Sequence, residues 1–200
     1  MLANLNWVTA DLAVGGDLDY DGQVMIAQVL EIIDADITHI IDLRCEAEDS
    51  EIWEAAKIAY LSVGTTDEDG HVVPPEVFDK GVRFARRAAR NGGKVLAHCH
   101  MGINRGPSMG FAILLDRGYS PIEAFDMIRA ARPQAFIAYA QDALAAHAAR
   151  KRRKGARSVD WEAQAVALEQ HIEAELTASK VGCIRHIMRE NRKRDLGQSA

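Results

Sequence analysis

Cysteine is scarce in this chain of 200 residues: Cys45, Cys99 and Cys183 lie far apart, with no Cys-x-x-Cys pair. An odd number without regular spacing excludes a disulfide framework and a cysteine-based zinc site. Aromatic residues make up 6% of the chain, too few for a base-stacking platform. There is no excess of positive charge either. The net charge of −5 gives no reason to expect a nucleic-acid partner. No apolar stretch approaches the roughly 18 residues that span a bilayer. The segment Met1–Trp7 has neither the basic n-region nor the apolar core of a signal peptide. These absences lead us to expect a soluble, cytoplasmic protein in a reducing compartment, where a cysteine stays a free thiol.

What is present fits one compact domain with an appendage. Hydrophobic residues are 48% and charged residues 26% of the chain, a globular profile, and no internal repeat is visible. Residues 7–14 suggest one or two short strands closed by Gly15-Gly16. Val24, Ile26, Val29, Leu30 and Ile33 recur at helical spacing over 21–34. Thr38–Leu43 is a short apolar run that suits a buried parallel strand. A short helix is expected around Trp53–Ile58, a strand over Tyr60–Val63, and a helix from Pro75 to Arg90 stopped by Asn91-Gly92-Gly93. Lys94–Ala97 is another buried-strand candidate, followed by a helix from near Pro107. Ser120-Pro121-Ile122-Glu123 has capping-box spacing with proline at the first helical position. That helix must end before Pro133, and a further one is expected over Ala135–Ala149. Alternating strands and helices imply an α/β fold with a mainly parallel sheet flanked by helices. The expected organisation is a domain over 1–149, a basic linker over 150–157 and a helical extension over 158–200. Trp161, Ala165, Leu168, Ile172 and Leu176 fall close to one stripe of that extension, which would pack on the domain or form a homodimer.

Chemistry concentrates in Val95-Leu96-Ala97-His98-Cys99-His100-Met101-Gly102-Ile103-Asn104-Arg105-Gly106-Pro107. A buried strand delivers a cysteine into a tight loop, and six residues later an arginine opens a helix. Such a loop is an anion cradle: the backbone N–H groups of 100–105 can all turn inward, and the helix adds its positive end. Gly102 permits the backbone curl. Arg105 supplies a planar fork matched to two phosphate oxygens. Helix N-termini and nearby cations favour the thiolate of a cysteine placed there. A thiolate below a bound phosphate is poised for attack on phosphorus, giving a phosphocysteine later hydrolysed by water.

The pattern His-Cys-x5-Arg resembles the signature of the protein tyrosine phosphatase superfamily, and in particular of its dual-specificity phosphatases. The resemblance runs across roughly residues 5–148 and includes Leu12–Gly16, Thr38–Arg44 and Ala131-Arg132-Pro133. It implies phosphomonoester hydrolysis without metal or cofactor, on a phosphorylated protein or a small phosphomonoester. Cys99 would be the nucleophile and Arg105 the phosphate clamp, with a general acid about thirty residues before Cys99. Thr66-Asp67-Glu68-Asp69-Gly70 occupies that place. Asp69, which precedes a glycine as in several relatives, is the favoured acid, with Asp67 next and Glu68 after it.

The resemblance assigns further roles. His98 would hydrogen-bond the thiolate from beneath the loop, or be a structural histidine. His100 and Met101 would face the mouth, Ile103 and Gly102 would line the cradle, and Asn104 would brace it. One departure stands out: active members carry Ser or Thr after the arginine, where a hydroxyl helps the thiolate leave, and here that position is Gly106. Slow breakdown of the intermediate is the expected consequence, with a phosphate-binding adaptor as the alternative. Cys45, at a strand end, has relatives that form a reversible disulfide with the nucleophile. A free thiol is the other reading, and Cys183 is expected to be inert.

Overall fold

A computed structural model describes residues 3–68, 70–153 and 159–178. Asp69, Cys183 and residues 154–157 of the expected linker lie outside the described residues, as does the Leu176 side chain. The chain divides into two compact units, 1–159 and 160–200.

The first unit is built on strands β1 (Leu5–Thr9), β2 (Leu12–Gly15), β3 (Ile37–Asp42), β4 (Ala59–Ser62) and β5 (Lys94–His98). Their order across the sheet is β1-β2-β5-β3-β4, with β1–β2 antiparallel and every other pair parallel. The inner parallel strands β2, β3 and β5 are short apolar runs because both faces are covered, whereas β4, at the sheet edge, has no buried residue. Ala13, Ile40 and Leu96 pack with Ile32 of helix α1 (Gly22–Asp34) and Trp53 of α2 (Ser50–Ala55). Val14, one residue along, faces α4 (Arg105–Arg117), where a side chain at Gly110 would strike it. Helix α4 is buried at 11 of its 13 residues, which explains its apolar sequence all round. Around it stand α3 (Pro75–Arg90), α5 (Pro121–Ala131) and α6 (Ala140–Arg153).

The capping box expected at Ser120 and Glu123 is formed, with proline at the first helical position. Three boundaries differ from the sequence expectation. Helix α2 starts at Ser50 and has ended by Lys57, whose φ of 58° is left-handed. Helix α4 starts at Arg105 rather than near Pro107. Helix α6 starts at Ala140 rather than Ala135, because the Phe136 and Ile137 amides are donated to the Ile103 carbonyl and Ile137 has a φ of 55°. The same helix runs through Arg153, so Arg150–Arg153, expected in the linker, form its last turn. There Arg150 and Arg153 pair with Asp79 of α3.

The second unit is represented by helix α7 (Trp161–Ala178), which Asp160 caps through its side chain to the Ala163 amide. Among the described residues no helix is long and apolar enough to cross a membrane.

Candidate active site

All parallel strands end on one edge of the sheet, and the loops 16–21, 43–49, 63–74 and 99–104 gather there, where open α/β sheets place their sites. Strand β5 carries Cys99 to this edge. The residue is 1% exposed, and its amide donates to the Gly15 carbonyl at 3.3 Å.

The next five residues separate their backbone groups by direction. Every carbonyl from His100 to Asn104 is taken by the surrounding protein. The Asp17 amide holds that of His100, and Arg132 Nη2 that of Met101 at 3.0 Å. Arg132 Nε holds that of Gly102 at 2.6 Å. The Phe136 and Ile137 amides hold Ile103, and the Ser108 amide holds Asn104. The amides of residues 100–104 donate to no described residue. With the carbonyls fixed outward, the N–H groups are left together as donors, the arrangement of an anion-binding nest. Gly102 makes the curl possible: its φ is 65°, and a Cβ there would lie 2.5 Å from Arg132 Nη2 and from the Gly15 carbonyl carbon. Asn104 caps α4 without a side-chain bond to the helix amides, so the orphan amides of the first turn also remain free. Gly106 lets that turn sit against β5, since a Cβ there would be 3.0 Å from the Ala97 oxygen and the His98 Cα.

Arg132 is buried, and among the described residues no carboxylate pairs with it. Two further donors go to Asn4 Oδ1 and Asn6 Oδ1, both at 2.8 Å. Burial pulls its guanidinium below its ordinary value, with the Cys99 sulfur opposing that.

Arg105 is 5% exposed, and its five donors can be assigned one by one. Glu46 takes the end of the guanidinium in two bonds, Nη1 at 2.8 Å and Nη2 at 2.6 Å. The second Nη1 proton goes to the Thr65 carbonyl at 2.9 Å, with Leu43 O at 3.4 Å. What remains is Nε–H, which has no hydrogen-bond partner among the described residues, and one Nη2–H on the same edge. That pair is a free fork for two oxyanion oxygens. The Arg105 bond, against the opposing effect of burial, holds the Glu46 carboxyl down at about 2. Burial disfavours the charged form of Arg105, but Glu46 and the neighbouring Cys99 and Asp67 outweigh it and raise its value.

Asp67 bridges the 63–74 loop to the cradle. Its carboxylate accepts from Tyr139 Oη at 2.8 Å and from Asn104 Nδ2 at 3.2 Å, and it stands 3.7 Å from Arg105 Nε. Desolvation and this carboxylate raise the Tyr139 phenol. Arg44 fixes two other loops by pairing with Asp17, Asp42 and Asp49. Burial of Asp42 favours its neutral form, yet Arg44, His98 and Tyr60 hold it below the usual carboxylate range.

The structure thus brings Cys99, Gly102, Ile103, Asn104, Arg105, Gly106 and Asp67 together. His100 and Met101 are exposed, with His100 Nδ1 3.4 Å from Asp17. His98 departs from the expectation. It is 2% exposed, neither ring nitrogen has a hydrogen-bond partner among the described residues, and its nearest ionic neighbour is Asp42 at 3.7 Å. It therefore neither bonds the Cys99 sulfur nor reaches the mouth, and burial lowers its proton affinity. The Cys45 thiol is exposed and free, 3.5 Å from Glu46 Oε2; desolvation and that carboxylate push it up. The Ser108 hydroxyl accepts the Tyr139 amide at 3.2 Å, which ties α4 to the segment before α6. Sequence reasoning missed Glu46, Arg132 and Tyr139 as site residues. Only Arg132 carried a signal, as part of Ala131-Arg132-Pro133.

Known proteins share this fold. Human DUSP28 superposes with a TM-score of 0.61 at 21% identity, covering 74% of this chain and 95% of that one. PTPMT1 in complex with PI(5)P gives 0.62 at 21%, over 74% and 98%. Tk-PTP in the active form gives 0.61 at 22%, over 75% and 99%. At these identities the likeness is one of fold. A probable protein tyrosine phosphatase type IVA B of Dictyostelium discoideum is 28% identical over 96 residues, 46% of this chain and 56% of that protein. The chain thus matches about half the length of that curated relative. Residues 22–141 match the family model described as the dual specificity phosphatase catalytic domain, a span that holds the cysteine, the cradle and its arginine, and the chain belongs to that family.

Proposed function

We propose that the chain is a cysteine-dependent phosphomonoester hydrolase of the dual-specificity protein phosphatase type. The observation that carries this reading is the loop 100–104, whose carbonyls are all engaged outward while its amides and the Arg105 edge stay free. Those donors match a phosphoryl dianion above Cys99. The Cys99 sulfur attacks phosphorus, the bond to the leaving oxygen breaks, and a general acid protonates that oxygen. Water then cleaves the S–P bond, its proton passing to the same carboxylate. The acid comes from the 67–69 segment. The Asp-Gly resemblance favours Asp69, and Asp67 is the alternative, already anchored by Tyr139 and Asn104. With glycine at 106 no hydroxyl stands directly after Arg105 to assist thiolate departure, and Ser108 lies two residues further along α4, so breakdown of phosphocysteine limits turnover.

Phosphate release from p-nitrophenyl phosphate between about pH 5 and 8 tests this, comparing the native chain with Cys99→Ser, Asp69→Ala and Asp67→Ala. Loss of activity in Cys99→Ser and a reduction in one aspartate variant, repeated on an alkyl phosphate, supports the mechanism and names the acid. Phosphate binding without release, in reductant, would favour an adaptor. Rapid-quench trapping should show phosphoenzyme accumulating during turnover, and its absence refutes the proposed slow step.

A further inference from the structure

The site takes an anion, yet its mouth is acidic. Of the four loops on the catalytic edge, three carry three carboxylate residues each and none carries a lysine; their single arginine is Arg44. Arg44 is buried and spent on Asp17, Asp42 and Asp49. Glu46 is matched by Arg105. Asp19, Asp21, Glu48, Asp67 and Glu68 are exposed, and no described lysine or arginine neutralises them beyond the 3.7 Å approach of Arg105 to Asp67. Basic residues collect elsewhere. Lys80, Arg83, Arg87 and Arg90 are exposed at a 3-4-3 spacing on α3, and Arg150–Arg153 close α6.

Such a mouth repels a free phosphate dianion, an acidic phosphopeptide and an anionic lipid surface alike, and attracts cations. At its floor stands Arg105, buried, with Nε–H unpartnered among the described residues. A ligand that satisfies both levels carries its phosphate on a positively charged frame. The rim also suits an extended chain over a compact metabolite. Tyr20, Val72 and Met101 are 84%, 66% and 61% exposed, more than any other large apolar side chain described, and all three lie on these loops. Tyr20 stands between Asp19 and Asp21, a combination of ring face and carboxylates that matches guanidinium or ammonium groups.

We propose that the preferred substrates are phosphorylated peptide segments with basic residues flanking the phosphorylated one, the acidic rim acting as the specificity determinant. The proposal rests on the phosphatase reading and deepens it. The test uses the full chain at salt below about 0.05 M, where surface charges are weakly screened. Three peptides share one phosphotyrosine and differ only in flanking Arg, Ser or Glu, and p-nitrophenyl phosphate reports the chemistry alone. Each exposed pair is worth roughly a factor of two, so three arginines should raise kcat/KM about tenfold over the serine peptide. The glutamate peptide should fall below it. Salt at about 0.5 M should collapse the ranking. The double variant Asp19→Asn with Glu48→Gln, outside the phosphate cradle, should reduce the preference about fourfold and leave kcat on p-nitrophenyl phosphate unchanged, its KM falling as the repulsion is relieved.

Equal rates on all three peptides, or faster turnover of the acidic peptide or of phosphoinositide vesicles, with p-nitrophenyl phosphate still hydrolysed, overturn the proposal and leave the phosphatase standing. If p-nitrophenyl phosphate is not hydrolysed, the phosphatase reading fails. Affinities of the same peptides for Cys99→Ser then decide the charge preference by their order.

Discussion

Arg132 offers the sharpest test of how the cradle is held, because it is a buried cation with four hydrogen bonds and, among the described residues, no carboxylate partner. Arg132→Met keeps most of the volume and removes all four. The Met101 and Gly102 carbonyls lose donors that hold them outward; an unsatisfied buried acceptor costs about 1–3 kcal/mol, in full for the buried Gly102 bond and in part for the part-buried Met101 bond, so the two cost about 2–5. Asn4 is exposed and Asn6 half-buried, so their amide oxygens regain water at little cost. Relief of the desolvated guanidinium offsets part of the loss, which leaves about 3 kcal/mol. For a unit of this size that lowers Tm by about 6–12 °C. Stability alone does not distinguish a loop brace from any other buried residue, so the second readout is phosphate or vanadate affinity measured well below the variant's Tm. A carbonyl released from Arg132 is free to turn toward the anion, and affinity should fall at least about tenfold. Arg132→Lys keeps the charge and loses the planar fork, and should recover stability more than affinity. A variant that loses less than about 2 °C, or that binds vanadate as the native chain does, refutes the assignment of Arg132 as the brace.

Two further outcomes are expected. Glu46→Gln leaves an acceptor for one Arg105 nitrogen where there were two, so the fork loses its fixed aim; kcat/KM for small phosphomonoesters should fall about tenfold with the fold unchanged by circular dichroism, and an unchanged value removes Glu46 from the site. His147, in α6, is buried, and its proton affinity falls to about 4, through desolvation first and then Arg150 and Lys151. The unfolded chain binds that proton near pH 6.5 and the folded chain does not, so stability should drop by up to about 3 kcal/mol as pH falls from 6.5 toward 4. Urea titrations of His147→Gln should show a shallower slope over that window, and an identical slope contradicts the reading.

How much was legible in the sequence depended on whether the cause was local. Strand and helix cores followed from short apolar runs and helical spacing, and the start of α5 from Ser120 and Glu123, whose chemistry is complete within four residues. The site's order along the chain, Cys99 through Arg105, was legible for the same reason. The start of α6 was not, because Ala135–Tyr139 has helix-compatible residues and is diverted by the Ile103 carbonyl, more than thirty positions away in sequence. The left-handed Asp36, Lys57 and Ile137 have no glycine to announce them. Glu46 looked like one acid in an acidic stretch, and only the fold sets it across from Arg105. For His98 the resemblance fixed its place next to Cys99 and not the neighbours that burial gives it, so the sequence left two readings open.

The ties around the loop also bear on when the site comes into being as the chain is made. The cradle needs Asn4, Asn6, Gly15 and Asp17 from one end of the unit and Arg132, Phe136, Ile137 and Tyr139 from the other. A nascent chain that has emerged only as far as α4 already possesses the cysteine and its arginine, yet nothing turns the carbonyls of residues 101–103 away from the anion. Such an intermediate carries a bare thiol without the geometry to use it. Competence to bind phosphate therefore arrives with the last third of the unit, and a ribosome-stalled series of increasing length should acquire vanadate binding only after residue 139 has left the tunnel.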